Sequence, residues 1–432
     1  MKKLLFLLAI TLSTASYSQT AITDDNFQTA INACLETNPV DGLCTNSEYG
    51  PMPDWDVSNV TDMQAKFFQV SNFNADISEW DTSSVTSMYA MFYKATDFNQ
   101  PLNEWDTSKV EDMAGMFQGA SAFNQPLDWD TSKVENMEGM FGDASVFNGD
   151  ISNWNTVSVT GMQAMFYEAS SFNQPLNWDV GIVTSMYAMF YKATDFNQPL
   201  NEWDTSKVEN MEGMFQGATD FNQPLNEWDT SSVTNMIKVF ANASVFNGDL
   251  SGWDTSSVTD MSYMFNNASV FNQPLNEWDV RQVTDMSIMF DNSGFSTDNY
   301  DGILKSWSLQ DVQSGVTLGA AGINYCNGED ARQSLIDTHG WIIDDAGLDC
   351  STAGVDDQNQ LDISIYPNPS SDIVYIDGNY TQLKVVVYDV LGKQVMNKSI
   401  TNSINISHLD NGVYILQISD RVKLITRKII KN

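Results

Sequence analysis

The residue types in this 432-residue chain that could do chemistry are its carboxylates, its methionines and its four cysteines. Asp and Glu number 56 against 20 Lys and Arg, so carboxylate pairs arise by chance alone. Glycoside hydrolysis needs one such pair in one cleft, about 5–9.5 Å apart and with one raised pKa. The acids here recur at a regular interval, as a structural feature does. A carboxylate-based glycosidase is therefore the weakest reading, and no enzyme is expected. His339 and His408 are the only histidines, which leaves almost no material for imidazole metal sites or Ser-His-Asp chemistry. No cofactor is expected either. A net charge of −36 repels phosphate backbones and anionic lipid, so no nucleic-acid partner is expected.

The elements that must position these groups are repeats. Ten tryptophans form a ladder with steps of 25 or 24 residues: Trp55, Trp80, Trp105, Trp129, Trp154, Trp178, Trp203, Trp228, Trp253 and Trp278. Counting from each, +5 is Val, +8 Met and +12 Phe in all ten units. Position +18 is Phe, +19 Asn and +22 Leu or Ile in the first nine. The shorter steps lose their residue just after that Leu, which marks an exposed turn. A unit this small buries its apolar residues only by stacking on its neighbours. Residues 85–111 and 183–209 are identical, offset by 98 residues or four units. Array length therefore changes by duplication, which suits an extended binding surface better than one active site.

Spacing predicts the shape of each unit. Met at +8, mostly Met at +11, Phe at +12 and mostly Ala at +15 form the i, i+3, i+4, i+7 stripe of a short helix. Asp, Asn or Ser at +7, with Gly161 the exception, predicts an N-cap before it. Asn at +19 suits a left-handed or Asx turn, and Pro at +21 in six units argues against a ladder strand there. The expected strand is the stretch near Ser-x-Val-Thr, one per coil, stacking about 4.8 Å apart. The Met stripe reads as core filler and not as a soft-metal site. Asp after Trp, Asp56 through Asp279 with Asn155 in one unit, reads as a local turn onto following amides and not as a calcium site.

Units such as WDTSSVTDMSYMFNNASVFNQPLNEW, starting at Trp253, resemble the BspA-like family of bacterial surface proteins with leucine-rich-repeat-like coils. The resemblance covers roughly residues 55–295 and implies a secreted or cell-surface protein, with adhesion as the activity of some members. It supplies no catalytic residues. The expected fold is an α/β repeat solenoid, leucine-rich-repeat-like, with a short strand plus a short helix per coil, elongated and right-handed, followed by a small all-β immunoglobulin-like sandwich.

The ends differ from the array. Residues 1–18 show Lys2 and Lys3, an apolar run and Ser16-Tyr17-Ser18, the order of a cleavable signal peptide. No other apolar stretch approaches the roughly 20 residues of a transmembrane helix. Residues 19–54 and 296–350 are read as caps. Of three possible cysteine pairings, Cys34–Cys44 with Cys326–Cys350 staples one cap each, whereas any other must bridge the whole array. Residues 351–360 read as a flexible linker. Residues 361–432 alternate in short runs between turns, and they hold eight of the 20 basic residues.

That last segment resembles the type A C-terminal sorting domain of type IX secretion. The carrying motifs are YPNPSSD (Tyr366, Pro367, Asn368, Pro369), YDVLGK (Leu391, Gly392, Lys393), LDNGVYILQI (Gly412, Tyr414) and the basic end with Lys428. The resemblance implies passage across the outer membrane by type IX secretion machinery, loss of the tail, and release or surface attachment. The functional expectation is an adhesion or macromolecule-binding module for an extracellular protein or polysaccharide, with a passive structural spacer as the alternative. Tyr89, Tyr93, Tyr167, Tyr187, Tyr191 and Tyr263 sit at variable positions and are the candidate binding surface.

Overall fold

The computed structural model describes residues 20–351, 363–378, 383–389, 393–419 and 424–432. The expected signal peptide, nearly all of the expected linker, and Leu391 and Gly392 lie outside them. The chain divides into two compact units, Met1–Cys350 and Ser351–Asn432.

Regular secondary structure in the first unit is confined to its ends. Helix α1 (Phe27–Leu35) buries Phe27, Ala30, Ile31 and Cys34, one face of a 3.6-residue period. Its Phe27 ring packs on Trp55 and Trp80 at 6.4 and 5.6 Å, and Cys34 is bonded to Cys44. At the other end, the Ser296 hydroxyl accepts from the Asn299 amide and starts α2 (Thr297–Trp307). Strand β1 (Thr317–Ala320), helix α3 (Glu329–His339) and strand β2 (Ile342–Asp345) follow, with β1 and β2 parallel. A buried Asp345 ties this end together, taking Arg332 at 2.7 Å and the Tyr300 hydroxyl at 3.0 Å. Cys326 and Cys350 form the second disulfide.

Between these ends the expected α/β solenoid is not formed. Residues 55–295, all described, contain no helix and no regular strand. Each unit is a chain of turns, and eight of the nine successive pairs meet through isolated parallel bridges at +7, as in Asn210↔Asn235↔Asp260. The reason lies in the backbone. In all ten units +10 and +14 have positive φ, between 51° and 73°, and an α-helix cannot pass through such residues. Alternate amides then reach the following unit instead of the preceding helical turn. In the unit of Trp203, Met211, Gly213, Phe215 and Gly217 donate to the carbonyls of Asn235, Ile237, Val239 and Ala241 at 2.8–3.0 Å. The amides between them close four-residue turns: Met214 to Met211, Gln216 to Gly213 and Ala218 to Phe215. The +7 side chain does cap, but as an Asx turn to the +9 amide, as Asn210 does to Glu212 at 3.0 Å.

Asn at +19 also differs from expectation. Each accepts the amide of the next unit's Asn, so Asn197, Asn222, Asn247 and Asn272 form a ladder at 2.8–3.0 Å. Thr at +2 donates to the following unit's +1 carbonyl, as Thr205 does to Asp229. Inside, the inward set is fully buried: Trp203, Val208, Met211, Met214, Phe215, Phe221 and Leu225 are at most 5% exposed. Their rings run as columns, Phe190–Phe215–Phe240 at 5.5 and 5.7 Å and Trp203–Trp228–Trp253 at 6.5 and 6.3 Å. Strand β1 continues the stack, bridging Met286 to Leu318. Gly319 is required there, since a Cβ would lie 2.1 Å from the Ile288 nitrogen.

The second unit is antiparallel. Strands β3 (Ile363–Tyr366), β4 (Ile373–Gly378) and β7 (Ser403–Asn405) make one sheet in the order β3-β4-β7. Strands β5 (Leu383–Asp389), β6 (Gln394–Ile400), β8 (Gly412–Ser419) and β9 (Leu424–Lys431) make the other, in the order β6-β5-β8-β9. Val374 and Ile376 of the first share a core with Val385, Val387, Leu416 and Ile418 of the second.

Candidate functional site

With +8, +11 and +12 turned inward, +9, +10, +13 and +14 make the outward columns of each unit. Five of the six candidate tyrosines stand at +9 or +13. Tyr89 and Tyr187, at +9, are 41% and 42% exposed. Tyr93, Tyr167 and Tyr191, at +13, are half-buried, because rings in one column stack. Tyr167 lies on Tyr191 at 4.5 Å, and Tyr93 lies on Phe68 at 4.6 Å, each pair 7° from parallel. Phe68 is a surface residue that the reading by variable tyrosines missed; its place at +13 was the available signal. Tyr263 stands apart at +10, with Lys238 over its ring at 5.5 Å.

Units three and four carry no ring at +9 or +13, where unit two carries Tyr89 and Tyr93. Gly115 and Gly139 at +10 form the floor of a groove of about 470 Å³, bounded by Phe68, Tyr89 and Tyr93 and fringed by Gln118, Asn136 and Glu138. Beside it runs the +14 column. Lys94 and Lys192 cover the rings of Tyr93 and Tyr191 at 5.3 and 5.1 Å, and Lys192 pairs with Glu168 at 2.7 Å. Burial pushes the Asp143 carboxyl up, and the neighbouring Glu168 adds to this, against Lys94 and Lys192.

The carboxylates after each Trp are engaged in turns. Asp56, Asp204 and Asp254 accept the amide two residues on at 2.9–3.1 Å, and Asn155 does the same for Val157. Hydrogen bonds from the serine hydroxyl and then its amide hold Asp56, Asp106, Asp130 and Asp204 below the usual carboxylate range. A lowered folded-state pKa contributes stability that is present above the unfolded value of about 3.9 and is lost as pH falls through the folded value. Denaturant midpoints should therefore hold down to about pH 4 and then drop. A midpoint unchanged at pH 3 would mean that the Asx turns contribute nothing.

In the tail, the motif residues converge on the last strand. The Asn368 side chain donates to the Lys428 carbonyl at 2.9 Å and accepts the Ile430 amide at 2.8 Å, between Pro367 and Pro369. Tyr366 stacks on Tyr375 at 5.9 Å. Gly412 opens β8 opposite Lys431, and the Tyr414 hydroxyl donates to the Asp410 carbonyl at 2.9 Å. The Lys393 amide belongs to a separate turn on Asp389.

Two families match this chain. A secretion system C-terminal sorting domain matches residues 364–432. It marks the protein for secretion or surface attachment through the outer membrane and implies the type IX secretion machinery as a partner. Among the described residues, no helix is long and apolar enough to cross a membrane. A family described as Mycoplasma protein of unknown function, DUF285, matches three times, over residues 42–128, 127–226 and 198–307. No curated protein matches the chain. With those three successive matches spanning most of its length, the chain belongs to the DUF285 family.

Proposed function

We propose that the protein is an exported adhesion module, binding a macromolecule through the outward columns of its stacked units, and that it is not an enzyme. The observation that carries this reading is the pair of stacked aromatic surfaces, Phe68–Tyr93 and Tyr167–Tyr191, on a chain bearing a sorting domain. Aromatic rings left half in water are the side chains most often used as binding anchors. The resemblance of the units to BspA-like surface proteins supports the same reading. Against catalysis, the repeated carboxylates serve turns.

Repeated sites act by avidity. Deleting residues 85–182 removes four units and rejoins Ser84 to Val183, whose following sequence is identical to that lost. One aromatic surface then remains of two. Binding to a polymeric ligand, chosen from glycan and protein arrays probed with residues 19–432, should weaken by about tenfold or more. Circular dichroism should show the remaining units folded. Undiminished binding by the deleted chain would sink the reading.

A further inference from the structure

The two copies of the duplicated block continue differently, and the difference lies at +9 and +10. After the first copy, unit three places Ala114 at +9, and unit four places Glu138 at +9 and Gly139 at +10. After the second, the same three positions hold Glu212, Ile237 and Lys238. In the first copy the +9 column therefore runs Tyr89, Ala114, Glu138, a ring and a carboxylate on either side of a methyl group. Phe68 and Lys94 cover the ring of Tyr93, whereas Tyr89 is 41% exposed and has neither a ring nor a cation packed on it among the described residues. Glu138 is exposed, and none of the three ion pairs among the described residues involves it. In the second copy both openings are filled. Glu212 stands at the Ala114 position and accepts from the Asn235 side chain at 3.2 Å. Lys238 stands at the Gly139 position, its ammonium over the Tyr263 ring at 5.5 Å.

Resting on the binding reading above, we propose that the groove of units two to four seats a lysine side chain of a partner polypeptide, its ammonium between the Tyr89 ring and the Glu138 carboxylate. Three features select that ligand. The face of an aromatic ring attracts an ammonium, and this chain makes the pairing at three other outward places, Lys94 on Tyr93, Lys192 on Tyr191 and Lys238 on Tyr263, at 5.1–5.5 Å. Charge agrees. Glu138 is the one carboxylate lining the groove, no lysine or arginine lines it, and the chain carries −36 overall. Such a field draws cations in and turns anions away. Shape supplies the third feature. Gly115 and Gly139 leave a groove of about 470 Å³, where the apolar stem of a lysine packs while its charged end reaches the carboxylate. Unit eight is the internal precedent, since there the chain's own lysine holds the +10 place. The first copy leaves that place open to a lysine from outside.

The test is fluorescence anisotropy of labelled tetralysine titrated with residues 19–432 at physiological salt. Tetralysine should bind, and its counterpart acetylated on every side-chain amine should not. Tyr89→Ala should weaken binding about fivefold, whereas Tyr89→Phe, which keeps the ring, should stay near wild type. Glu138→Gln should weaken it about threefold. Gly139→Lys copies unit eight and should weaken it about tenfold or more, because the incoming ammonium meets a like charge. Lysine is tolerated there: Lys238 has a φ of 57° beside 61° for Gly139, and a Cβ on Gly139 would meet the Gln118 side chain at 3.4 Å. Glu104→Gln removes an exposed carboxylate outside the groove and should leave binding near wild type. Thermal melts verify the fold of each variant. Failure of tetralysine to bind overturns the proposal, as does equal binding of the acetylated peptide or wild-type affinity in Tyr89→Ala and Gly139→Lys. A loss in Glu104→Gln as large as in Glu138→Gln would mean that the net field alone holds the peptide, which also overturns it. The broader adhesion reading fails on a different result, undiminished polymer binding after deletion of residues 85–182.

Discussion

Replacing Phe215 with alanine should lower the stability of the stacked units by about 3–5 kcal/mol. The ring is fully buried. It stacks on Phe221 within its own unit at 4.1 Å and lies between Phe190 and Phe240 of the adjacent units. Truncation therefore loses the transfer free energy of the ring and leaves a cavity whose walls belong to three units. Those walls cannot collapse inward, because the Phe215 amide and its neighbours are hydrogen-bonded across the units at 2.8–3.0 Å. Denaturant unfolding of residues 19–432 measures the loss. Phe68→Ala is the matched control, since that ring is 43% exposed and its truncation should cost about 1 kcal/mol or less. A Phe215→Ala loss below about 1 kcal/mol would mean that the ring faces solvent.

Deleting residues 361–432 should abolish delivery to the surface and leave the protein in the periplasm. The sorting-domain match covers 364–432, and those residues belong to a compact unit of their own, so their removal leaves the core around Trp55–Trp341 intact. Cell fractionation and protease accessibility of intact cells read the outcome. Asn368→Ala is the finer probe: it removes the two hydrogen bonds that hold the YPNP segment to β9 while leaving the rest of the tail's core in place. Normal surface display of the truncated chain would rule out the sorting role.

Much of the molecule was legible because burial obeys periodicity. The Trp, Val, Met, Phe and Leu positions expected to face inward do so in every unit, since only stacking can remove them from water. Both disulfides join the cysteine pairs that are near in sequence. The expected helix failed for a specific reason. Overlapping four-residue turns with left-handed residues at +10 and +14 bury the same i, i+3, i+4, i+7 stripe as a helix, so burial periodicity cannot separate the two. A signal was nevertheless present at those positions. Gly115, Gly139 and Gly213 occupy +10, while Gly119, Gly217, Asn242, Asn267 and Asn292 occupy +14, and Gly and Asn are the residues that tolerate positive φ.

The candidate site divides in the same way. Sequence alone placed Tyr89, Tyr93, Tyr167, Tyr187, Tyr191 and Tyr263 at variable positions of the unit and showed the tail's resemblance to a sorting domain, which the family match bears out. Which of them meet was decided by tertiary structure. Phe68 and Tyr93 are 25 residues apart and come within 4.6 Å only because each +14 amide donates to the +13 carbonyl of the next unit, which brings like positions into one column. The same cross-unit bonds turned the Asn at +19 from a local turn residue into a ladder. Local pattern reports what a residue buries; the partner of a backbone amide is chosen by the neighbouring unit, and that choice made turns and ring stacks out of a stripe that reads as helix.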